Sequence, residues 1–546
     1  MSVSVGTQAL TRAELIAVAR FFETIELSDA VRERLGRQRS AIDALVEGGE
    51  PIYGLSTGFG SLATTSISPE RRRELQRSLI RSHAAGVGPE VEQEVVRAMM
   101  VSRLTNLCSG VSGVRVETAE AYAGLLNAGI TPVVHEFGSL GCSGDLAPLA
   151  HVALALMGEG DVRDAGGARR SAADALRDAG LVPVELAEKE GLALINGTDG
   201  MLGQLILALD DGFTLMQQMD LAASLSIQAL RGTDRVFLAE VHALRPHEGQ
   251  LASAENLMAL LADSHIVSSH VDDPSQVQDA YSLRCAPQVH GAARDTFSYA
   301  THVADVELAA AIDNPSVLAD GSLVSNGNFH GAPIGYALDF LAIVLADVAS
   351  MSERRTDRLL DVNRSYGLPP FLAQDAGVDS GLMIAQYAQA ALVAEMKRLA
   401  SPASVDSIPS SGMQEDHVSM GWHAARKLRL SIAAFRHVVA IELLAGARAI
   451  ATEYPSVVRD VRGLGLLVGV ELQNEGYGGT IVPEMLKRGV TTAWTLNAQR
   501  VIRLEPPLVV TANEIETALE ALRAGIAVAF DKLGTLPEAE PLNAVR

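Results

Sequence analysis

The run Asp295-Thr-Phe-Ser-Tyr-Ala-Thr-His-Val-Ala-Asp-Val-Glu-Leu-Ala-Ala-Ala-Ile312, closed by Asp313-Asn314-Pro315, decides the fold class of this chain. Phe297, Ala300, Ala304, Leu308 and Ala311 recur at three- and four-residue spacings, which is one apolar stripe of a helix, and Asp-Asn-Pro stops it. The same texture spreads outward to about residue 450: Leu, Ala, Glu and Arg dominate, and aromatics are only 4%, so helices can pack closely around small side chains. Tyr336 to Leu360 is a second long helix, apolar at first and charged from Glu353-Arg354-Arg355. Its first half is expected to be buried and its second half solvated. The fold class is mainly α, a bundle of long helices.

Four glycine-rich loops interrupt the bundle: Tyr53 to Gly60, Gly138 to Pro148, Asn196 to Gly200 and Ser325 to Gly331. Loops on a rigid helical frame are the place to look for chemistry. Beyond residue 453 the character changes. Gly463 to Leu472 and Arg500 to Leu504 have the β-branched texture of strands, and Thr511-Ala-Asn-Glu514 opens a helix with a capping-box pattern that runs to about Leu533. This predicts three parts: 1–200, carrying the Gly138 loop; 201–452, the central long helices; and 453–546, a small α/β module. The boundary falls near Tyr454-Pro455, and the last residues read as a loose tail.

Composition narrows the class. The 546 residues are 48% hydrophobic, enough for a large core, and the net charge of −22 argues against nucleic acid or an anionic membrane as partners. Three scattered cysteines, Cys108, Cys142 and Cys285, make neither a disulfide framework nor a zinc cluster. The N-terminus has no secretion signal, and Asp347 interrupts the most apolar helix, so no membrane span is expected. A cytoplasmic enzyme without metal is the expectation.

The chemistry concentrates in Gly138-Ser-Leu-Gly-Cys142-Ser143-Gly144-Asp145-Leu-Ala-Pro-Leu-Ala-His151. If this loop bends tightly, the Gly144 amide nitrogen can attack the Cys142 carbonyl carbon. Loss of one water closes a five-membered ring, and loss of a second turns Ser143 into a methylidene, giving 4-methylidene-imidazol-5-one (MIO). Gly144 permits the bend, Ser143 supplies the leaving hydroxyl, and Cys142 contributes only backbone. The plain alternative for Ser-Gly-Asp is a turn before a helix.

This run resembles the signature of the histidine/phenylalanine/tyrosine ammonia-lyase family, in which the loop forms that prosthetic group. The resemblance extends over roughly residues 8 to 450, through YGLSTGFG, SHAAGVG, GLALINGTDGML, QDAYSLRCAPQ, SNGNFHGAP, ERRTDRLLD and SVDSIPSSGMQEDHVSMG in order. It departs in one place: Cys142 stands where alanine is commoner. A thiol nucleophile is the competing reading of Cys142, but no general base is linked to it by motif.

The resemblance implies roles. Tyr53 is the candidate base for the β-proton, which requires its pKa, ordinarily ~10, to be depressed. Arg284 is the candidate carboxylate clamp, its guanidinium fork matching two oxygens, with Tyr281 on the same face if the run is helical. Asn196 is expected to hydrogen-bond the electrophile's oxygen, and Gln278 and Phe329 to line the pocket. His83 and Glu415 are expected to set the substrate, because an imidazole needs polar partners that a phenyl group does not. Glu415 binds an imidazole N–H or assists proton transfer to the leaving amine; the sequence leaves both open. The ordinary alternatives are a core tyrosine, an arginine at a helix end, a turn asparagine, a satisfied core histidine and a solvated acidic pair.

Together these imply a histidine-type ammonia-lyase giving trans-urocanate and ammonia, assembled as a homotetramer with active sites at subunit junctions. A tyrosine or phenylalanine lyase, an aminomutase, or a non-catalytic assembly protein with an uncyclised loop are the alternatives. The last ninety-odd residues instead resemble the small C-terminal domain of class III aminotransferases, with Arg503 at a carboxylate-binding position. The large domain that carries pyridoxal phosphate in those enzymes has no counterpart here, so that cofactor is not expected.

Overall fold

The computed structural model describes residues 2–6, 8–48, 53, 56–58, 60–62, 64–262, 264–271, 277–451, 458–464, 467–488, 493–495, 498–504 and 512–535. They form two compact units. The first comprises Met1–Asp210, Ser298–Leu341 and Ser401–Arg429; the second comprises Asp211–Phe297, Ala342–Ala400 and Leu430–Arg546. Among the described residues helices dominate, the longest being Asp199–Ala229, Ala332–Leu360 and Gly421–Ala451.

The first unit is organised by the helix Gln93–Cys108, which is buried on nearly all sides. Two arginines lie within it, Arg97 and Arg103, both fully buried. Arg97 donates to the carbonyls of Val18 at 2.7 Å and Leu126 at 3.3 Å, replacing the water its guanidinium gave up. A small parallel pair, Ser2–Val5 with Thr24–Leu27, flanks the helix Arg12–Phe21. That helix opens on a reciprocal cap, Glu14 N–H to Thr11 Oγ1 and Thr11 N–H to Glu14 Oε2.

The diagnostic helix runs Ala286–Leu308, so its end comes earlier than Ile312. Phe297, Ala300, Ala304 and Leu308 are buried as the spacing predicts, whereas Ala311 is exposed beyond the helix. The cause is competition for the backbone: Asn106 Oδ1 takes the Ile312 N–H at 3.0 Å and Arg103 Nη2 takes the Ile312 carbonyl at 3.1 Å.

The helix predicted from Tyr336 spans Ala332–Leu360; its apolar half is largely buried as expected, at Ala337, Leu338, Leu341, Leu345 and Val348, but its charged half is not the solvated one. Tyr336, Phe340 and Ile343 are exposed in the apolar half, while Ser352, Glu353, Arg355 and Thr356 are buried in the charged half. Pairing makes this tolerable. Within the second unit Arg355 grips Glu442 with two bonds, at 2.5 and 3.0 Å, and Ser226 and Ser352 donate to the same carboxylate at 2.7 and 2.6 Å. By length and composition alone Ala332–Leu360 and Gly421–Ala451 are each apolar enough to cross a membrane, a test that buried core helices also pass. Of their most apolar windows 61% and 50% are buried inside the protein.

The second unit also holds the C-terminal module. A four-stranded antiparallel sheet has the order 458–464, 467–472, 498–504, 493–495, with the helices Glu475–Lys487 and Ala512–Leu533 packed on it. The predicted strand Gly463–Leu472 straddles two antiparallel strands, 458–464 and 467–472, while Arg500–Leu504 lies within 498–504 and the helix ending at Leu533 is present. Leu472, Tyr477, Ile481, Met485, Ile502 and Ala529 form its core, against which Ala447 and Ala451 of the preceding helix also pack. The proposed boundary at Tyr454-Pro455 and the C-terminal tail lie outside the described residues.

Candidate active site

A cavity of about 480 Å³ opens in the first unit. That is room for a single amino acid. Tyr53, His83, Ser143, Asn196, Ser411 and Glu415 line it, so residues from five separated sequence motifs converge on one volume.

The Gly138 loop is held from both sides. Gly144 pairs with Gly197 in an isolated parallel bridge, and the Asp145 N–H donates to the Gly197 carbonyl at 2.8 Å. Asp145 is fully buried. It accepts from Ser139 Oγ at 2.8 Å and from the Met201 N–H at 2.8 Å, so it ties the loop to the start of the helix Asp199–Ala229. Burial pushes its carboxyl up to about 7, against those donors. On the other side Ser419 Oγ donates to the Gly141 carbonyl at 3.0 Å and the Met420 N–H to the Leu140 carbonyl at 2.9 Å. Gly144 has φ +79, and a β-carbon there would lie 2.0 Å from the Gly197 oxygen. Only glycine fits, as ring closure at this position needs.

His83 ends the helix Arg72–His83. Its Nδ1 lies 2.9 Å from the Leu79 carbonyl, an acceptor only, so Nδ1 carries the hydrogen and Nε2 is left as an acceptor. Burial holds its pKa below the ordinary value, opposed by the Leu79 bond and by Glu415. Glu415 is oriented by Ser410, whose Oγ donates to Oε2 at 2.9 Å, and the Ser410 N–H donates to the Glu415 carbonyl at 2.9 Å.

The Tyr53 hydroxyl accepts from the Gly60 N–H at 3.0 Å. Burial raises its pKa, and the Glu415 charge adds to the rise. These surroundings therefore oppose the depressed phenol expected from sequence. The Cys142 thiol is likewise pushed up to about 12 by burial and by a hydrogen bond to Glu415, which disfavours the thiolate that nucleophilic chemistry needs.

Asn196 differs from its expected role in polarity. Its Nδ2 donates to the Asn314 carbonyl at 2.9 Å and to Asp313 Oδ1 at 3.2 Å, so Oδ1, buried and without a partner, is the free end of the amide. An acceptor at this place does not donate to an oxyanion.

Gln278, Tyr281 and Arg284 belong to the second unit, and the first two are exposed. Tyr281–Arg284 is a short helix, as the shared-face reading required, and the guanidinium lies 4.6 Å from the Tyr281 ring centre. Phe329 is half-buried in the first unit and is not among the residues lining the cavity. The role of Ser410 in orienting Glu415, and of Asp313 in holding the Asn196 amide, has no signal in sequence pattern. Asp313 reads there only as a helix breaker.

Residues 10–460 match the aromatic amino acid lyase family, and residues 436–526 match the class-III aminotransferase family. A histidine ammonia-lyase of Streptomyces avermitilis is 63% identical over 449 residues, covering 82% of this chain and 88% of that protein. One from Deinococcus radiodurans is 50% identical over 440 residues, covering 80% and 84%. Among solved structures, histidine ammonia-lyase from Trypanosoma cruzi superposes with a TM-score of 0.77 at 34% identity, covering 100% of both chains. Tyrosine aminomutase from Streptomyces globisporus gives 0.79 at 36%, covering 99% of this chain and 100% of that one.

Proposed function

From the premise that this chain belongs to the aromatic amino acid lyase family, we infer that it removes ammonia from L-histidine to give trans-urocanate. The observation that carries the reading is the meeting of Ser143, His83 and Glu415 on one cavity. The identity of 63% to a histidine ammonia-lyase, against 36% to a tyrosine aminomutase, favours histidine over the aromatic alternatives.

Cys142-Ser143-Gly144 fits as the source of MIO, because Gly144 is bent at φ +79 in a loop pinned at Gly141, Asp145 and Gly197. Once formed, that group supplies an electrophile that captures the amino group and makes it a better leaving group.

The chain's own residues do the rest. The Glu415 carboxylate accepts the imidazole N–H, with His83 beside it, a pairing that a phenyl ring leaves unmade. Tyr53 takes the β-proton. The Gly60 N–H lowers its pKa against burial and the Glu415 charge, and we assign the rest of the depression to cationic groups brought by assembly. We assign the carboxylate clamp to Arg284, with Tyr281 and Gln278 beside it and Phe329 completing the wall, in a homotetramer with active sites at subunit junctions. The exposure of Tyr281, Tyr336 and Phe340 supports such burial between chains. Three free cysteines fit a cytoplasmic, reducing location. Residues 453–546 form an appended module without a catalytic part.

Two measurements test the reading. Ring closure removes two waters, so the intact mass falls roughly 36 Da below the sequence mass. Absorbance is then followed with histidine, tyrosine and phenylalanine in turn. An unmodified mass, or turnover of tyrosine but not histidine, overturns it.

A further inference from the structure

Beneath Asn196 lies a buried ion pair that the proposed reaction does not use. Lys189 Nζ and Asp313 Oδ2 are 2.5 Å apart, and both side chains are fully buried. Lys189 holds a left-handed backbone, φ 75, which a non-glycine residue keeps only where its surroundings over-determine it. The second oxygen of Asp313 accepts from the Asn314 N–H at 2.7 Å and from Asn196 Nδ2 at 3.2 Å. Arg103 Nη1 donates to the Asn196 carbonyl at 2.9 Å, which fixes the backbone of the same residue.

Both partners of the Asn196 NH₂ group, a carboxylate and a carbonyl, can only accept. Turning the amide over would set its oxygen against two oxygens. The Oδ1 atom therefore stays on the other side, sealed from bulk water and without a donor. The Gly144–Gly197 bridge sets residue 196 beside Ser143, and both line the cavity. An orphaned buried acceptor is costly until a donor arrives. An α-amino acid brings one, its ammonium group.

We propose that Asp313, paired with Lys189, is a positioning residue that holds Asn196 as a hydrogen-bond acceptor for the substrate's amino group. This rests on the amino acid reading of the cavity, and it reverses the donor role that the sequence suggested for Asn196.

The test is direct binding, measured by calorimetry on the full chain carrying Ser143→Ala, which cannot form the ring. The two probes are L-histidine and its desamino analogue, imidazolylpropionate. In Asp313→Asn the new amide gives its oxygen to Lys189 and sets its NH₂ against the Asn196 NH₂ and the Asn314 N–H, so the acceptor that holds Asn196 with Oδ1 toward the cavity is lost. Histidine binding should weaken at least about tenfold, the worth of one charge-assisted hydrogen bond, while the analogue changes less than about twofold. Lys189→Met should give the same selective loss, because it removes the contact that fixes the Asp313 carboxylate toward Asn196; it serves if Asp313→Asn does not fold. Equal losses for both probes, or no loss for histidine, overturn the proposal. Failure of the parent Ser143→Ala chain to bind histidine at all would instead count against the substrate reading.

Discussion

Gly144 and Gly197 approach so closely that a single added β-carbon on residue 144 would sit 2.0 Å from the Gly197 carbonyl oxygen. The contact joins the reactive tripeptide to the turn that carries Asn196, and it couples the construction of the site to its substrate-binding side.

Gly144→Ala should therefore abolish maturation. The substitution adds a clash to a left-handed conformation that alone costs an alanine about 1–2 kcal/mol. We expect the intact mass to stay at the unmodified value and the melting temperature to fall. A normal mass deficit in this variant would show that the bend is not required.

Glu415→Gln should separate chemistry from maturation. It keeps the shape of the side chain and the Ser410 bond while removing the charge. Turnover of histidine is expected to drop at least about tenfold, the worth of the charge-assisted hydrogen bond to the imidazole, with the mass deficit of roughly 36 Da retained. Parallel mass and rate measurements check both halves of the expectation.

The pH dependence of stability has a definite sign at His151. Its Nε2 accepts from the Gly86 N–H at 3.1 Å, which requires the neutral ring, and burial with His135 nearby brings its pKa down to about 4. The unfolded chain binds the proton more readily, so this contribution is complete above about 6.5 and is lost as pH falls toward about 4. Asp145, raised to about 7, acts with the opposite sign between its ordinary value and that pH, being most stabilising in acid. The difference in melting temperature between the parent and His151→Gln isolates the histidine: the gap should narrow as pH drops. A constant gap across this range would remove His151 as the cause.

Glu442→Gln should destabilise the second unit strongly. It leaves the fully buried Arg355 guanidinium without its countercharge, at a cost of about 3–5 kcal/mol. Thermal melts should show a drop of several degrees. The double variant Arg355→Met/Glu442→Leu should recover most of it, since a well-packed apolar pair needs no countercharge. If the double variant is as unstable as the single one, unbalanced charge is not the reason.

Much of the architecture was written in local pattern. Phe297, Ala300, Ala304 and Leu308 announced their helix because periodicity is a property of neighbours along the chain. The strands and helix of the C-terminal module were legible on the same ground. His83, Ser143 and Glu415 were legible as candidates because each sits in a motif whose residue types fit one chemistry.

Tertiary structure alone decided the rest. That Arg355 is buried depends on Glu442, and that Glu353 is buried on Gln386, both remote in sequence, and no helical pattern can report a partner on another helix. The true end of the helix at Leu308 was set by Asn106 and Arg103, which claim the Ile312 backbone from across the unit. The polarity of the Asn196 amide was fixed by Asp313, which as a letter in the chain is only part of a breaker. Composition and spacing determined which elements form and which residues can react; the direction in which a hydrogen bond runs, and the charge a buried group can keep, were set by the three-dimensional surroundings, because electrostatics acts through space and not along the sequence.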